Sequence, residues 1–276
     1  MHSYRTFILG LIAAIAWQTP NQTPVEPLKD SGQSVTGAFE GWYQNPDGAY
    51  TLLVGYYNRN ARETLDIPVG PNNRIEPGGP DQGQPSYFLP RRQWGVFTIT
   101  VPKDFGNKKL TWTIVANGQT TTIPMSLNPL WVVEPFKDVG VGNTPPVVRF
   151  QPGGPSFTGP PRGIGQTFTT KLSDPLSLTL WVADDGRTPP ERGAGRGGAG
   201  PASVSWSKFR GPGDVTFDNA RPPVDKDGKA ATTAKFTAPG EYILRLQAND
   251  ASGDGGGGFQ CCWTNVHVKV TVNPGQ

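Results

Sequence analysis

Apolar and polar residues alternate along most of this chain with a period of two, the spacing that puts every second side chain on one face of a β-strand. The clearest cases lie near the C-terminus, where Tyr242, Leu244, Leu246 and Ala248 share one face and Val266, Val268, Val270 and Val272 share another. Both sets are predicted core. Upstream, strands are predicted over 34–39, 50–57, 64–68, 95–101, 110–116 and 119–125, then over 147–150, 167–172, 176–183, 203–209, 215–217, 231–237, 241–248 and 262–272. Asn117-Gly118 separates two of these runs and supplies the positive φ angles of a tight type I′ hairpin turn. Residues 68–92 read as a long Pro/Gly/Asn loop, and the proline-interrupted run 127–136 as a last strand of the first half. Short strands at this spacing, with no helical periodicity after the first residues, predict an all-β protein of two immunoglobulin-like β-sandwich domains in tandem.

The N-terminus has a different pattern. Arg5 precedes an apolar run from Phe7 to Ala16, too short to span a hydrocarbon core of about 30 Å, and Ala14-Ile15-Ala16 supplies a small-x-small cleavage site. A signal peptide over 1–16 follows, with no membrane span expected after its removal. The predicted organisation is then a flexible tether over 17–33, a first sandwich over 34–137, a linker over 138–146 and a second sandwich over 147–273. Within the second half, 187–200 is so rich in Gly that it reads as a disordered loop.

Composition changes this picture little. The 36 Gly and 29 Pro approach the level at which disorder is a fair suspicion, but eight Trp and the alternating runs argue for turn-rich β structure instead. A net charge of +3, falling to +2 once Arg5 leaves, gives no support for a nucleic-acid partner.

Three blocks of the second half carry a family resemblance: Leu176-Ser-Leu-Thr-Leu-Trp-Val-Ala-Asp184-Asp185-Gly186, the segment from Val204 through Trp206 to Phe217, and Phe236-Thr-Ala-Pro239-Gly240-Glu-Tyr242 running on to Asp250. Together they resemble PKD-type domains, immunoglobulin-like sandwiches of extracellular proteins with cadherin-like relatives. The Gly-rich insertion before Pro201 and the run Gly255 to Gly258 depart from that pattern. The resemblance implies adhesion, spacing or binding beside an enzyme. The first half, at Gly41-Trp42-Tyr43 and Pro90 to Phe97, resembles uncharacterised secreted bacterial β-domains, which implies no activity. Independently of the resemblance, Trp206 has the place of a buried strand tryptophan and Tyr242 that of a corner tyrosine.

The candidate chemistry is sparse. With His2 in the signal, His267 is the one histidine of the mature chain, so a His-based triad or multi-His metal centre has at most one member. A non-enzymatic exported protein is expected, secreted, periplasmic or at the cell surface, with a protein or polysaccharide partner; a carboxylate-dependent glycoside-active enzyme is the reading left for catalysis. Cys261 and Cys262 are adjacent and admit four states: a vicinal disulfide ring, a link between two chains, free thiols, or ligands to a soft metal. The ring is favoured in an oxidising compartment. Asp184, Asp185, Asp250 and Asp254 fall in loops after two strands and form a candidate calcium set, although their spacing matches no EF-hand; no other cofactor is expected. Trp42, Tyr43, Tyr56, Tyr57 and Trp94 are candidate ligand-stacking aromatics, since consecutive strand residues point to opposite faces and one of Tyr56 and Tyr57 should face outward. A carbohydrate-binding accessory module is the alternative function they imply.

Overall fold

The computed structural model describes residues 29–133, 142–186, 202–250 and 261–275. The predicted signal peptide, residues 138–141 of the predicted linker, the Gly-rich run 187–200 and Asp254 therefore lie outside the described residues. Within them the fold is all-β, with a short 3-10 turn at Pro129–Trp131 and no α-helix.

The first half holds β1 (Val35–Gln44), β2 (Tyr50–Asn58), β3 (Leu65–Asp66), β4 (Asn73–Glu76), β5 (Tyr87–Phe88), β6 (Arg91–Val101), β7 (Lys109–Ala116) and β8 (Gln119–Ser126). Sheet β1-β2-β6 packs on sheet β4-β7-β8, and β3 pairs with β5 beside them. The core between the sheets gathers Leu52, Val54, Tyr56, Phe97, Trp112 and Ile114 from alternate strand positions. The β7–β8 hairpin turns at Asn117 and Gly118 with φ of 49° and 74°, the turn that Asn-Gly predicts.

The segment 68–92 is not one long loop. Four residues of it form β4 against β7, held by tertiary contacts rather than by an apolar run. Buried Asn73 donates to the carbonyls of Ile67 and Pro85 and accepts from Trp112 Nε1 at 2.9 Å. Nor do residues 127–133, the described part of 127–136, form a strand; they turn through Pro129–Trp131 and touch β1 at the Trp42–Val132 bridge. Proline at the turn's start removes a ladder donor, which accounts for the difference.

The second half holds β9 (Val147–Arg149), β10 (Ile164–Lys171), β11 (Leu176–Ala183), β12 (Ser203–Arg210), β13 (Val215–Phe217), β14 (Lys229–Phe236), β15 (Gly240–Asn249) and β16 (Trp263–Asn273). Its sheets run β10-β16-β15-β12 and β13-β14-β11-β9. The residues that alternation assigns to the core are all buried, from Tyr242 to Ala248 and from Val266 to Val272. Trp206 is buried with them, and Tyr242 Oη donates to the Ala238 carbonyl at 2.8 Å, closing the corner before β15.

The two halves share core. A register shift between Lys208 and Arg210 turns Phe209 out of its own sandwich, and its ring, 2% exposed, joins the core of the first one. Burying such a ring contributes about 2–3 kcal/mol.

Candidate functional site

The junction begins with two irregularities in β-pairing that face each other. In β6 the pairing with β2 jumps from Tyr56–Gln93 to Val54–Phe97, so Trp94, Gly95 and Val96 stand opposite Gly55 alone. In β1 a shift between Phe39 and Gly41 leaves Glu40 unpaired. The Glu40 carboxylate, almost wholly buried, accepts from Gly95 N at 2.8 Å and from Arg92 Nη2 at 2.6 Å. Burial pushes its pKa up, and the Arg92 charge pulls back against that shift.

A bulge frees backbone groups that must find partners elsewhere. Here the second sandwich supplies them. Asn265 Nδ2 donates to the carbonyls of Trp94 and Gly95, Arg245 Nη2 donates to Trp94 O, and His267 Nε2 reaches Val96 O at 2.9 Å. Since a carbonyl only accepts, His267 carries its proton on Nε2. Burial between the halves lowers its pKa to about 4, and the ring lies 4.2 Å from that of Phe209. His267 is thus neutral and committed to the junction. Gly95, at φ 50°, lies directly against the Trp263 ring, where a Cβ would overlap the indole. Farther along, Lys208 pairs with Asp66 at 2.7 Å, Arg210 grips Asp81 through both terminal nitrogens, and Ser86 N donates to Phe209 O. The Arg210 guanidinium holds the Asp81 carboxyl below its usual range.

Because the first sandwich covers the β16 side of this sheet face, the β12 side stays open. The result is a cleft of about 810 Å³. Its floor is a ladder of polar pairs, Ser203 opposite Asn249, Ser205 opposite Gln247 and Ser207 opposite Arg245. One wall carries Arg92 and Trp94, the guanidinium 3.7 Å from the indole centroid; the other is the segment from Ala220 to Val224.

The predicted aromatic platform is corrected in part. Tyr43 and Tyr56 are 6% and 1% exposed, because both pack in cores, and Tyr56 Oη accepts from Leu89 N. Trp42 is half-buried, its Nε1 donating to Asn128 O and its ring set edge-on to Tyr50. Tyr57 is the more exposed of its pair, with Arg59 5.8 Å from its ring. Trp94 alone among the five lines the cleft. An aromatic that alternation did not single out, Trp131, is 49% exposed beside Leu130 at 90%.

Asp184, Asp185 and Asp250 do meet at one pole. Asp250 accepts from Asn143 Nδ2, and Asp185 accepts from Thr144 N and Oγ1. Burial first, then the charges of Asp250 and Asp185, raise the Asp184 pKa. Among the described residues no group of three or more His, Cys, Asp or Glu is arranged to hold a metal ion. The Cys261 and Cys262 sulfurs lie at bonding distance across a cis peptide, in buried positions beside Trp263.

No protein-family model matches the chain and no curated protein does so either. Superpositions on solved structures are of low similarity. The D00-D0 domain of Intimin covers 87% of this chain and 99% of its own at 11% identity and a TM-score of 0.26. A tandem of titin immunoglobulin domains gives 88%, 100%, 9% and 0.25 in the same order, and the Yersinia pseudotuberculosis adhesin InvE gives 86%, 58%, 11% and 0.26. At such scores nothing about activity or ligand is inferred from them.

Proposed function

We propose that this chain is an exported, non-catalytic binding or structural protein of the cell exterior, in which an N-terminal sandwich over 34–137 and a PKD-type immunoglobulin-like sandwich over 147–273 act as one rigid body. The observation that carries the reading is the junction. Three consecutive carbonyls of the β6 bulge are taken by Asn265, Arg245 and His267, and the histidine that general acid–base chemistry would use is consumed there. A rigid junction holds the cleft open at fixed width, which suits recognition by preorganised groups. Export is supported by the 1–16 leader pattern.

Two measurements test this. The N-terminus of protein recovered from outside the cytoplasm is expected at Trp17; recovery only in the cytoplasm with Met1 retained would overturn export. Incubation of the purified chain with isolated envelope material is expected to retain it there without turnover of that material. Release of soluble products would make it an enzyme.

A further inference from the structure

We propose that the cleft beside β12 takes a neutral linear polysaccharide, its chain lying along the strand and its hydroxyls read by the Ser203–Asn249 and Ser205–Gln247 pairs; this rests on the binding-module reading above. The floor has the right chemistry for hydroxyls. Serine hydroxyls and carboxamides each donate and accept, and the two pairs repeat along the strand every second residue, a rise of about 6.7 Å. Serines also leave depth, and a volume of about 810 Å³ lies within the roughly 300–1,000 Å³ of small-ligand clefts. Trp94, with Arg92 against its indole, and the exposed Pro223 also line the cleft, rigid surfaces suited to the apolar faces of sugar rings.

Charge and edge geometry narrow the ligand further. Arg92 is bound to Glu40, Arg245 donates to Gln93, Trp94 and Asn265, and Asp250 accepts from Asn143, so these three ionic groups are answered within the chain, and the further charged residue of the lining, Arg221, is exposed on the outer wall. A charged ligand would have to displace those bonds, whereas a neutral one would not. A peptide added as a strand needs the free edge of β12, yet Trp206 N already donates to Ala220 O there at 2.8 Å. A peptide bound by anchors needs apolar pockets, and the floor is a row of polar side chains. Meanwhile Asn249 Oδ1, in a residue that lines the cleft, makes no hydrogen bond among the described residues. It is a polar group of the Ser203–Asn249 pair that a hydroxyl at the floor would serve.

The test is depletion of the purified chain from solution by a panel of insoluble neutral and acidic polysaccharides, with competition by the matching soluble oligosaccharides. Depletion by a neutral polymer is expected, weakened at least tenfold in Ser205→Phe, which fills the floor, and several-fold in Gln247→Ala. Melting temperatures should stay at the wild-type value, and Trp131→Ala, outside the cleft lining, should bind as wild type. Ser203→Phe serves if Ser205→Phe unfolds. Binding that survives both floor variants overturns the proposal, as does binding to acidic polymers alone or to peptides. Retention on envelope material with no depletion by any polymer also overturns it, while leaving the broader binding-module reading intact.

Discussion

Gly95 and Trp263 come from opposite halves of the chain and meet so closely that the glycine has no room for a side chain. Gly95→Ala forces a methyl into the indole at a φ of 50°, a conformation that costs an L-residue about 1–2 kcal/mol, and overpacking adds about 1–3 kcal/mol. Chemical denaturation should show a loss of about 2–5 kcal/mol. An unchanged midpoint would mean that the junction is not packed as described.

His267 makes stability depend on pH. Its folded pKa of about 4 lies below the ordinary 6.5, so the unfolded chain takes up the proton first as pH falls. Stability is complete above pH 6.5 and declines between 6.5 and about 4, by on the order of 3 kcal/mol. Glu40, with its pKa raised, has the opposite sign: it favours the folded chain as pH falls and loses that contribution as pH rises through its folded value. Comparing denaturation at pH 7 and pH 5 in wild type and His267→Gln isolates the histidine. The variant should lose less stability on acidification.

Arg92→Ala leaves the buried Glu40 carboxylate without its cation and should cost about 3–5 kcal/mol. Adding Glu40→Gln removes the stranded charge while an amide oxygen still accepts from Gly95 N, so the double variant should recover much of the loss. Thermal melts of the four proteins in the cycle read this directly.

Arg210→Ala should release Asp81. The carboxyl now held down by the guanidinium is expected to titrate at a higher pH in the variant, seen by NMR of the Asp81 side chain. A titration that stays where it was would show that Gly83 N, the remaining donor, sets the value.

For the cysteines, the expected state is the vicinal ring. Intact mass of the exported monomer should be two hydrogens below that of the reduced chain, with no alkylation before reduction. A mass doubled by a link between chains would overturn it.

Much of the second sandwich was readable because alternation is strict there. Leu176–Ala183 and Val215–Phe217 are the strands that the pattern marks, to the residue. In the first half the pattern misses β4, since of its four residues only Ile75 is apolar and Asn73 is held by bonds to residues distant in sequence. The cleft was also hidden. Its wall is set by a bulge, and the one local sign of it was Gly95, which the pattern placed at the start of a run whose strand begins at Arg91. Arg245, Asn265 and His267 stand where outward positions of a free strand would be expected, so their burial depends on a partner surface that periodicity cannot see. The aromatics failed for a related reason: a doublet such as Tyr56-Tyr57 shows that two faces are occupied, not which of them another layer covers.

Phe209 belongs by sequence to one sandwich and by burial to the other. An isolated first half would therefore carry a hole in its core where that ring sits, along with bulge carbonyls that lose their donors. The peptide connection between the halves is then less important to their union than the surface they share. Produced as two separate polypeptides, they should find each other and assemble, and neither half is a part that could be exchanged into another protein without bringing its companion.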